Sequence, residues 1–254
     1  MPTGAPALSE APQITAFAAA LQQSHASGQR FVPETGMALP RDRAECLAVQ
    51  QAVSEARGAV AGFKVGAGTG ALAPTVAPIA AADVVASGGV AKTRDQLGIE
   101  LEVGFELLKP LPAAGLPEPV QEYFAPRVVI ELVDTRLEGE AASDPALKLA
   151  DMQINAGMVL GPRLEDWDGS DFGTVAGWCD AGETRLLDGE ATVPGGSALA
   201  NLGLLCEVLG DHCGGLQPGQ VVITGSLCGL PYFPAGTEVS GRIEGLGEVS
   251  VTLA

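Results

Sequence analysis

The chain has 254 residues and carries 31 Asp and Glu against 14 Lys and Arg, a net charge of −17. That balance repels a phosphate backbone and argues against nucleic acid as a partner, while 46% apolar and 18% charged residues describe a globular chain. No apolar run reaches the roughly 20 residues that span a bilayer, and the opening MPTGAPALSE has no basic stretch followed by an apolar one, so a protein of the cytoplasm with no membrane partner is expected.

Residues 9–28 read as an amphipathic helix, with Ser9 as N-cap, Ile14, Phe17, Ala18 and Leu21 on one face, and Gly28 as the stop. A polar, Pro- and Gly-marked connection leads to a second helix from about residue 41 to 57, carrying Cys46, Val49, Val53 and Ala56 at helical spacing before Gly58. Beyond Ala61 the texture changes to short alternating or wholly apolar runs between turns, the mark of strands. The clearest are residues 62–66, 99–107, 127–134, 221–225 and 238–253, the last folding back at Gly245 and Gly247 as a hairpin. Helices are expected near 146–158 and over 197–209, the latter capped by Ser197. The reading is an α+β protein: a small helical N-terminal region, residues 1–60, on a β-rich mixed-sheet core, residues 61–254. Regular strand–helix alternation is missing, which argues against a doubly wound sheet or an eight-fold barrel.

The five cysteines, Cys46, Cys179, Cys206, Cys213 and Cys228, include no C-x-x-C pair, so a disulfide framework or thiolate zinc site is not expected. The two imidazoles, His25 and His212, read as surface groups. A metal would therefore rely on carboxylates, which suits hard Mg²⁺, Mn²⁺ or Ca²⁺.

Carboxylates of that kind are present. In IELEVGFEL the period of a strand puts Glu100, Glu102 and Glu106 on one face and Leu101, Val103, Phe105 and Leu107 on the other. A wet outer face explains that alternation, but Glu100 and Glu102 also stand about 7 Å apart along the strand and repel unless a cation lies between them. Glu131 sits in VVIELV, apolar on both sides, where an unpaired carboxylate costs several kcal/mol. Its partner is Arg127 or Arg136, a proton, or a metal shared with Glu100 and Glu102. Lys64, between Phe63 and Val65, either snorkels to the surface or serves a carboxylate-rich site as an anion binder or proton relay. Asp83 is an acid within a small-residue apolar run, where a cap or turn explains it as well.

Two Gly-containing loops, Pro194–Ser197 and Thr224–Leu227, can offer N–H groups and hydroxyls to an anion. Neither matches a phosphate-binding fingerprint, and the G-x-S-x-G elbow of serine hydrolases is absent. Trp167 and Trp178 fall in an acidic loop region and read as packing residues.

In their order, AECLAVQQAV, GFKVG, IELEVGFEL, IELVDTR, LADMQINAGMVLGP, GGSALANLG and the C-terminal LQPGQVVITGSL with AGTEVSGRIEGLGEVSVTLA resemble the fumarylacetoacetate hydrolase superfamily, in its 2-keto-4-pentenoate hydratase branch. The resemblance implies that family's fold and makes Glu100, Glu102 and Glu131 ligands of Mg²⁺ or Mn²⁺. It places Lys64 and Asp83 at positions of proton transfer and Ser197, Gly225 and Ser226 beside the substrate. A third ligand that is Glu looks like the hydratases and decarboxylases, not the C–C bond hydrolases. Two departures stand out: the segment before Asp83 is shorter than in similar hydratases, and Met152 replaces an Asn. The implied activity is water addition to a 2-hydroxy-2,4-dienoate, giving a 4-hydroxy-2-oxo acid in aromatic catabolism, by a homo-oligomer. The alternatives are decarboxylation of a 2-oxo diacid, hydrolysis of an acylpyruvate, and a catalytically silent partner subunit.

Overall fold

The computed structural model describes residues 14–68 and 70–254. The expected cap at Ser9 lies outside them. Four α-helices occur among them: α1 (Thr15–Ser27), α2 (Arg43–Arg57), α3 (Pro145–Ala150) and α4 (Ala198–Val208). The strands are β1 (Val60–Gly66), β2 (Thr75–Ala80), β3 (Val84–Ala86), β4 (Gly89–Ala91), β5 (Gln96–Leu107), β6 (Phe124–Val133), β7 (Asn155–Arg163), β8 (Thr174–Ala181), β9 (Thr184–Thr192), β10 (Val221–Ile223), β11 (Tyr232–Pro234), β12 (Glu238–Ile243) and β13 (Gly247–Leu253).

The strands form two sheets. The larger runs β2-β1-β10-β5-β6-β7-β3 with β11 also on β5, and the smaller runs β4-β13-β12-β8-β9. Parallel and antiparallel pairs mix: β1 runs parallel to β10, and β5 antiparallel to β6 and β10. The expected α+β, mixed-sheet architecture is therefore present. The apolar face of β5 supplies Leu101, Val103, Phe105 and Leu107 to a core shared with Cys179, Val239, Val249 and Val251 of the second sheet. Burying that face leaves the glutamate face of β5 turned the other way, because side chains alternate along a strand.

The N-terminal helices form by their own signals. Asp42 caps α2 by accepting from the Glu45 N–H at 2.8 Å, while the Glu45 carboxylate accepts from the Arg41 N–H at 2.8 Å, so two end donors are satisfied reciprocally. Gly28 ends α1 at φ 73°, a left-handed conformation that favours glycine. Phe17 and Leu21 of α1 pack with Val49 and Val53 of α2, and with Leu147 and Leu149 of α3, in one apolar cluster. Gln50 of α2 bonds the carbonyls of Val76 and Leu149 and so ties the helices to β2.

Three local readings are corrected. The helix expected to 158 ends at Ala150, and Met152, Gln153 and Ile154 follow at φ 53°, 50° and 56° before the chain enters β7. Trp178 lies within β8, whereas Trp167 packs 5.6 Å from Phe105 under the first sheet. His212 is buried, its Nε2 2.9 Å from the Gln50 side-chain oxygen.

Candidate metal centre

The register of β5 on β6 sets Glu100 directly opposite Glu131, and Glu102 follows two residues on along the same face. A carboxylate oxygen from each of the three lies within 4.8 Å of the others. Glu102 and Glu131 are each 1% exposed, so the charges meet where water cannot screen them. Burial, then the neighbouring Glu131, pushes the Glu100 carboxyl up to about 8, and the same causes raise Glu102 well above the carboxylate range.

The protein supplies one cation. Lys64, on the same face of β1 as its neighbour Gly62 and opposite Phe63 and Val65, donates to Glu131 Oε1 at 2.6 Å and to the Gln153 carbonyl at 3.3 Å. Burial pushes this ammonium down, but Glu131, Glu100 and Glu102 together outweigh burial and hold it above the usual lysine range. Asn155 donates a second bond to Glu131 Oε1, at 2.7 Å. Neither of the arginines considered for Glu131 reaches it: Arg127 pairs with Glu106, and Arg136 with Asp151. Three carboxylates against one ammonium, in an apolar setting, form a donor set short of positive charge. Oxygen-only, anionic and compact, that set fits a hard divalent cation such as Mg²⁺ or Mn²⁺.

A cavity of about 330 Å³ opens beside the three glutamates and takes in both Gly-containing loops. Asn201 of α4 draws those loops together, its amide donating to the carbonyls of Pro194 at 2.8 Å and Thr224 at 2.9 Å. The Thr224 hydroxyl bonds the Val103 carbonyl, and the Gly225 N–H donates to Glu102 at 2.5 Å. Gly225 stands at φ 115° with Pro194 where a side chain would begin, so only glycine serves there. Gly225 and Ser226 thus line the cavity, although the Gly225 N–H is spent on Glu102 and the Ser226 hydroxyl on the Gly229 carbonyl.

Two other expected residues are elsewhere. The Ser197 hydroxyl accepts from the Ala200 N–H as the N-cap of α4 and does not line the cavity. Asp83 ends a short 3₁₀ turn beyond β2, where its carboxylate pairs with Arg57 in a different cavity. The turn carries it past the strand face on which Lys64 and the glutamates converge.

Sequence reasoning missed Asn155, Asn201 and Gln153. Asn201 had a signal, a lone amide in an apolar run, and Asn155 a weaker one, a polar residue just before the apolar stretch 156–160. Gln153 had none, because its place depends on the left-handed turn at 152–154. Its amide nitrogen donates to the Thr75 hydroxyl at 2.8 Å, while its Oε1 is buried without a partner on the cavity wall. Backbone held in this region costs about 1–3 kcal/mol per residue and gathers at functional sites.

No family model matches the chain, and no curated protein does. Solved structures do match. The 4-oxalocrotonate decarboxylase of Pseudomonas putida G7, in complex with magnesium and adipate, is 21% identical with a TM-score of 0.76, over 96% of this chain and 98% of that one. The 5-carboxymethyl-2-hydroxymuconate delta-isomerase of Mycobacterium smegmatis is 18% identical, TM-score 0.55, over 77% and 80%. The fumarylpyruvate hydrolase of Pseudomonas aeruginosa, with Mn²⁺ and pyruvate, is 19% identical, TM-score 0.52, over 71% and 78%. The chain accordingly shares the fold of these proteins, and the likeness to the decarboxylase structure covers 96% of it. Among the described residues, no helix is long and apolar enough to cross a membrane.

Proposed function

We propose that the protein is a divalent-metal-dependent decarboxylase of a short unsaturated 2-oxo diacid of the 4-oxalocrotonate type. The observation that carries this reading is the set of titratable groups on the cavity wall: among the described residues, only Glu100, Glu102, Glu131 and Lys64. With the glutamates committed to a cation, one ammonium remains to handle protons. Loss of CO₂ from the far end of a conjugated 2-oxo diacid needs no base. The electrons of the breaking C–C bond run through the double bond to the 2-oxygen, and one proton then completes the 2-hydroxy-dienoate.

The three glutamates would hold a divalent ion, which would supply Lewis acidity toward negative charge on that oxygen. Lys64, which donates to Glu131 Oε1 at 2.6 Å, is the one ammonium on the wall, adds to the stabilisation and is the proton source. Asn155 and Lys64 together fix the Glu131 carboxylate, and Asn201 ties together the two loops that line the cavity. The full-length likeness to the decarboxylase and its diacid ligand supports the same reading.

The hydratase reading shares this site but asks more of it, since protons must move at carbon and water must be activated at C4. With Asp83 turned into another cavity and neither histidine on this wall, no second acid or base is at hand among the described residues. Purified protein with Mg²⁺ or Mn²⁺ is assayed against a 4-oxalocrotonate-type diacid, 2-hydroxypentadienoate and an acylpyruvate, with products identified by mass. Release of CO₂ from the diacid is the expected result. Hydration of the dienoate without CO₂ release from the diacid restores the hydratase reading.

A further inference from the structure

Arg136 and Asp151 form the most deeply buried ion pair among the described residues, with side chains 2% and 0% exposed, and neither lines the carboxylate pocket. Sealing two charges from water is costly, and apolar residues of similar size often stabilise a fold as well or better. The backbone that this pair holds accounts for its place.

All three guanidinium nitrogens are used. Nε donates to Asp151 Oδ1 at 2.5 Å, while Nη2 donates to the Asp151 carbonyl and Nη1 to the Asn155 carbonyl, both at 2.6 Å. The other carboxylate oxygen of Asp151 accepts from the Arg136 N–H at 2.8 Å and from the Thr135 hydroxyl at 2.9 Å. One arginine thus grips both ends of the segment 151–155, whose middle residues, Met152, Gln153 and Ile154, all stand at positive φ. Left-handed backbone without glycine persists only where its surroundings hold it, and Ile154, branched at Cβ, is the least suited of the three. What the turn carries goes to the metal centre. The Gln153 carbonyl accepts from Lys64 at 3.3 Å, and the Asn155 amide donates to Glu131 Oε1 at 2.7 Å. The Gly157 N–H donates to Asn155 Oδ1 at 3.0 Å and so fixes which end of that amide meets Glu131.

We propose that Arg136 and Asp151 are positioning residues for the metal centre: their ion pair clamps the left-handed turn, so that Asn155 and Gln153 hold Glu131 and Lys64 in place to receive a divalent cation. The inference rests on the reading of Glu100, Glu102 and Glu131 as ligands, and extends it to two residues that touch neither cation nor substrate. Partners of this kind orient a ligand carboxylate before the ion arrives.

Calorimetry with Mg²⁺ alone tests the clamp without the reaction. The unaltered chain is compared with Asn155→Ala, with Arg136→Met/Asp151→Leu, and with the three substitutions together. Removing both charges at once leaves neither buried and unpaired, so circular dichroism should show a folded protein. Asn155→Ala and the clamp variant should each weaken Mg²⁺ binding about tenfold. Together they should weaken it by little more than about tenfold, because the clamp acts through Asn155. A pair that only stabilised the fold would lower Tm and leave Mg²⁺ affinity unchanged, and independent losses would multiply to about a hundredfold. Either result overturns the proposal. If the clamp variant does not fold, Thr135→Val replaces it, since it removes one bond to the Asp151 carboxylate. A loss in affinity of about threefold is then expected, and none in the Asn155→Ala background; unchanged affinity overturns the proposal. The decarboxylase reading fails separately: the expected pattern of Mg²⁺ binding with no CO₂ released from the diacid leaves the clamp standing. An unaltered chain that binds no Mg²⁺ removes the metal centre and the clamp with it.

Discussion

Glu106 and Glu102 stand on one face of β5, four residues apart, and meet opposite surroundings. Glu106 accepts from Arg127 at 2.7 Å and from Arg163 at 2.9 Å, two guanidiniums for one carboxylate. Glu102 meets Glu100 and Glu131 instead, with one lysine among the three. The strand supplies the same acid in both places, and the neighbouring strands decide its use. Arginines on β6 and β7 close the Glu106 end as an ion-pair network. Where those positions hold Glu131 and Met158, the charge is left for a metal.

The sharpest way to break this contrast is to remove one charge from the glutamate trio. Glu131→Gln should cut Mg²⁺-dependent turnover by about a thousandfold, the scale of several kcal/mol of lost transition-state charge stabilisation. Circular dichroism should show a folded protein. Undiminished turnover would mean that the trio is not the reaction centre. Lys64→Met comes next, with an expected loss in kcat of about a hundredfold, in the range for a single proton-transfer group. Mg²⁺ affinity measured by calorimetry should change far less, and an equal loss in both would make Lys64 a structural partner of Glu131.

The pH dependence of metal binding separates the two ends differently. Glu100, held at about 8 by burial and by Glu131, carries a proton at neutral pH when no cation is present. A cation must displace that proton, so Mg²⁺ affinity should rise as pH increases toward 8, by up to about tenfold per proton and pH unit. Calorimetry in buffers of different ionisation enthalpy would count the protons released. Binding that releases none at pH 7 would contradict the raised carboxyl.

Much of this site was legible in the sequence, and for a definite reason. Strand alternation fixes which side chains share a face whatever the fold, and so it grouped Glu100 with Glu102. An apolar run on both sides of Glu131 marked a buried acid in need of a partner. Asp83 was not legible, because its direction depends on a three-residue turn after β2 and on Arg57, a residue of another element. The end of α3 was hidden for a similar reason. Met152, Gln153 and Ile154 enter the left-handed region with no Gly or Asn among them to announce it. The second sheet was only half visible, since β8 and β9 alternate weakly and their residues are largely polar on the outer face.

The smallest expected effect comes from the other end of β5, and it tests the contrast from its quiet side. In Glu106→Gln the amide oxygen still accepts from one arginine while the NH₂ faces the other, but each arginine keeps a second partner: Arg127 the Gly161 carbonyl at 2.7 Å, Arg163 the Glu165 carboxylate at 2.9 Å. The Glu106 side chain is also 18% exposed, so water shares in answering the charges left behind. The cost should therefore be about 1 kcal/mol, a fall in Tm of about 2–4 °C, well below that of stripping one partner from a sealed ion pair. Mg²⁺-dependent turnover should match that of the unaltered protein. If Glu106→Gln reduced turnover as Glu131→Gln does, the carboxylates of β5 would act as one electrostatic unit, and the division drawn by the arginines would fail.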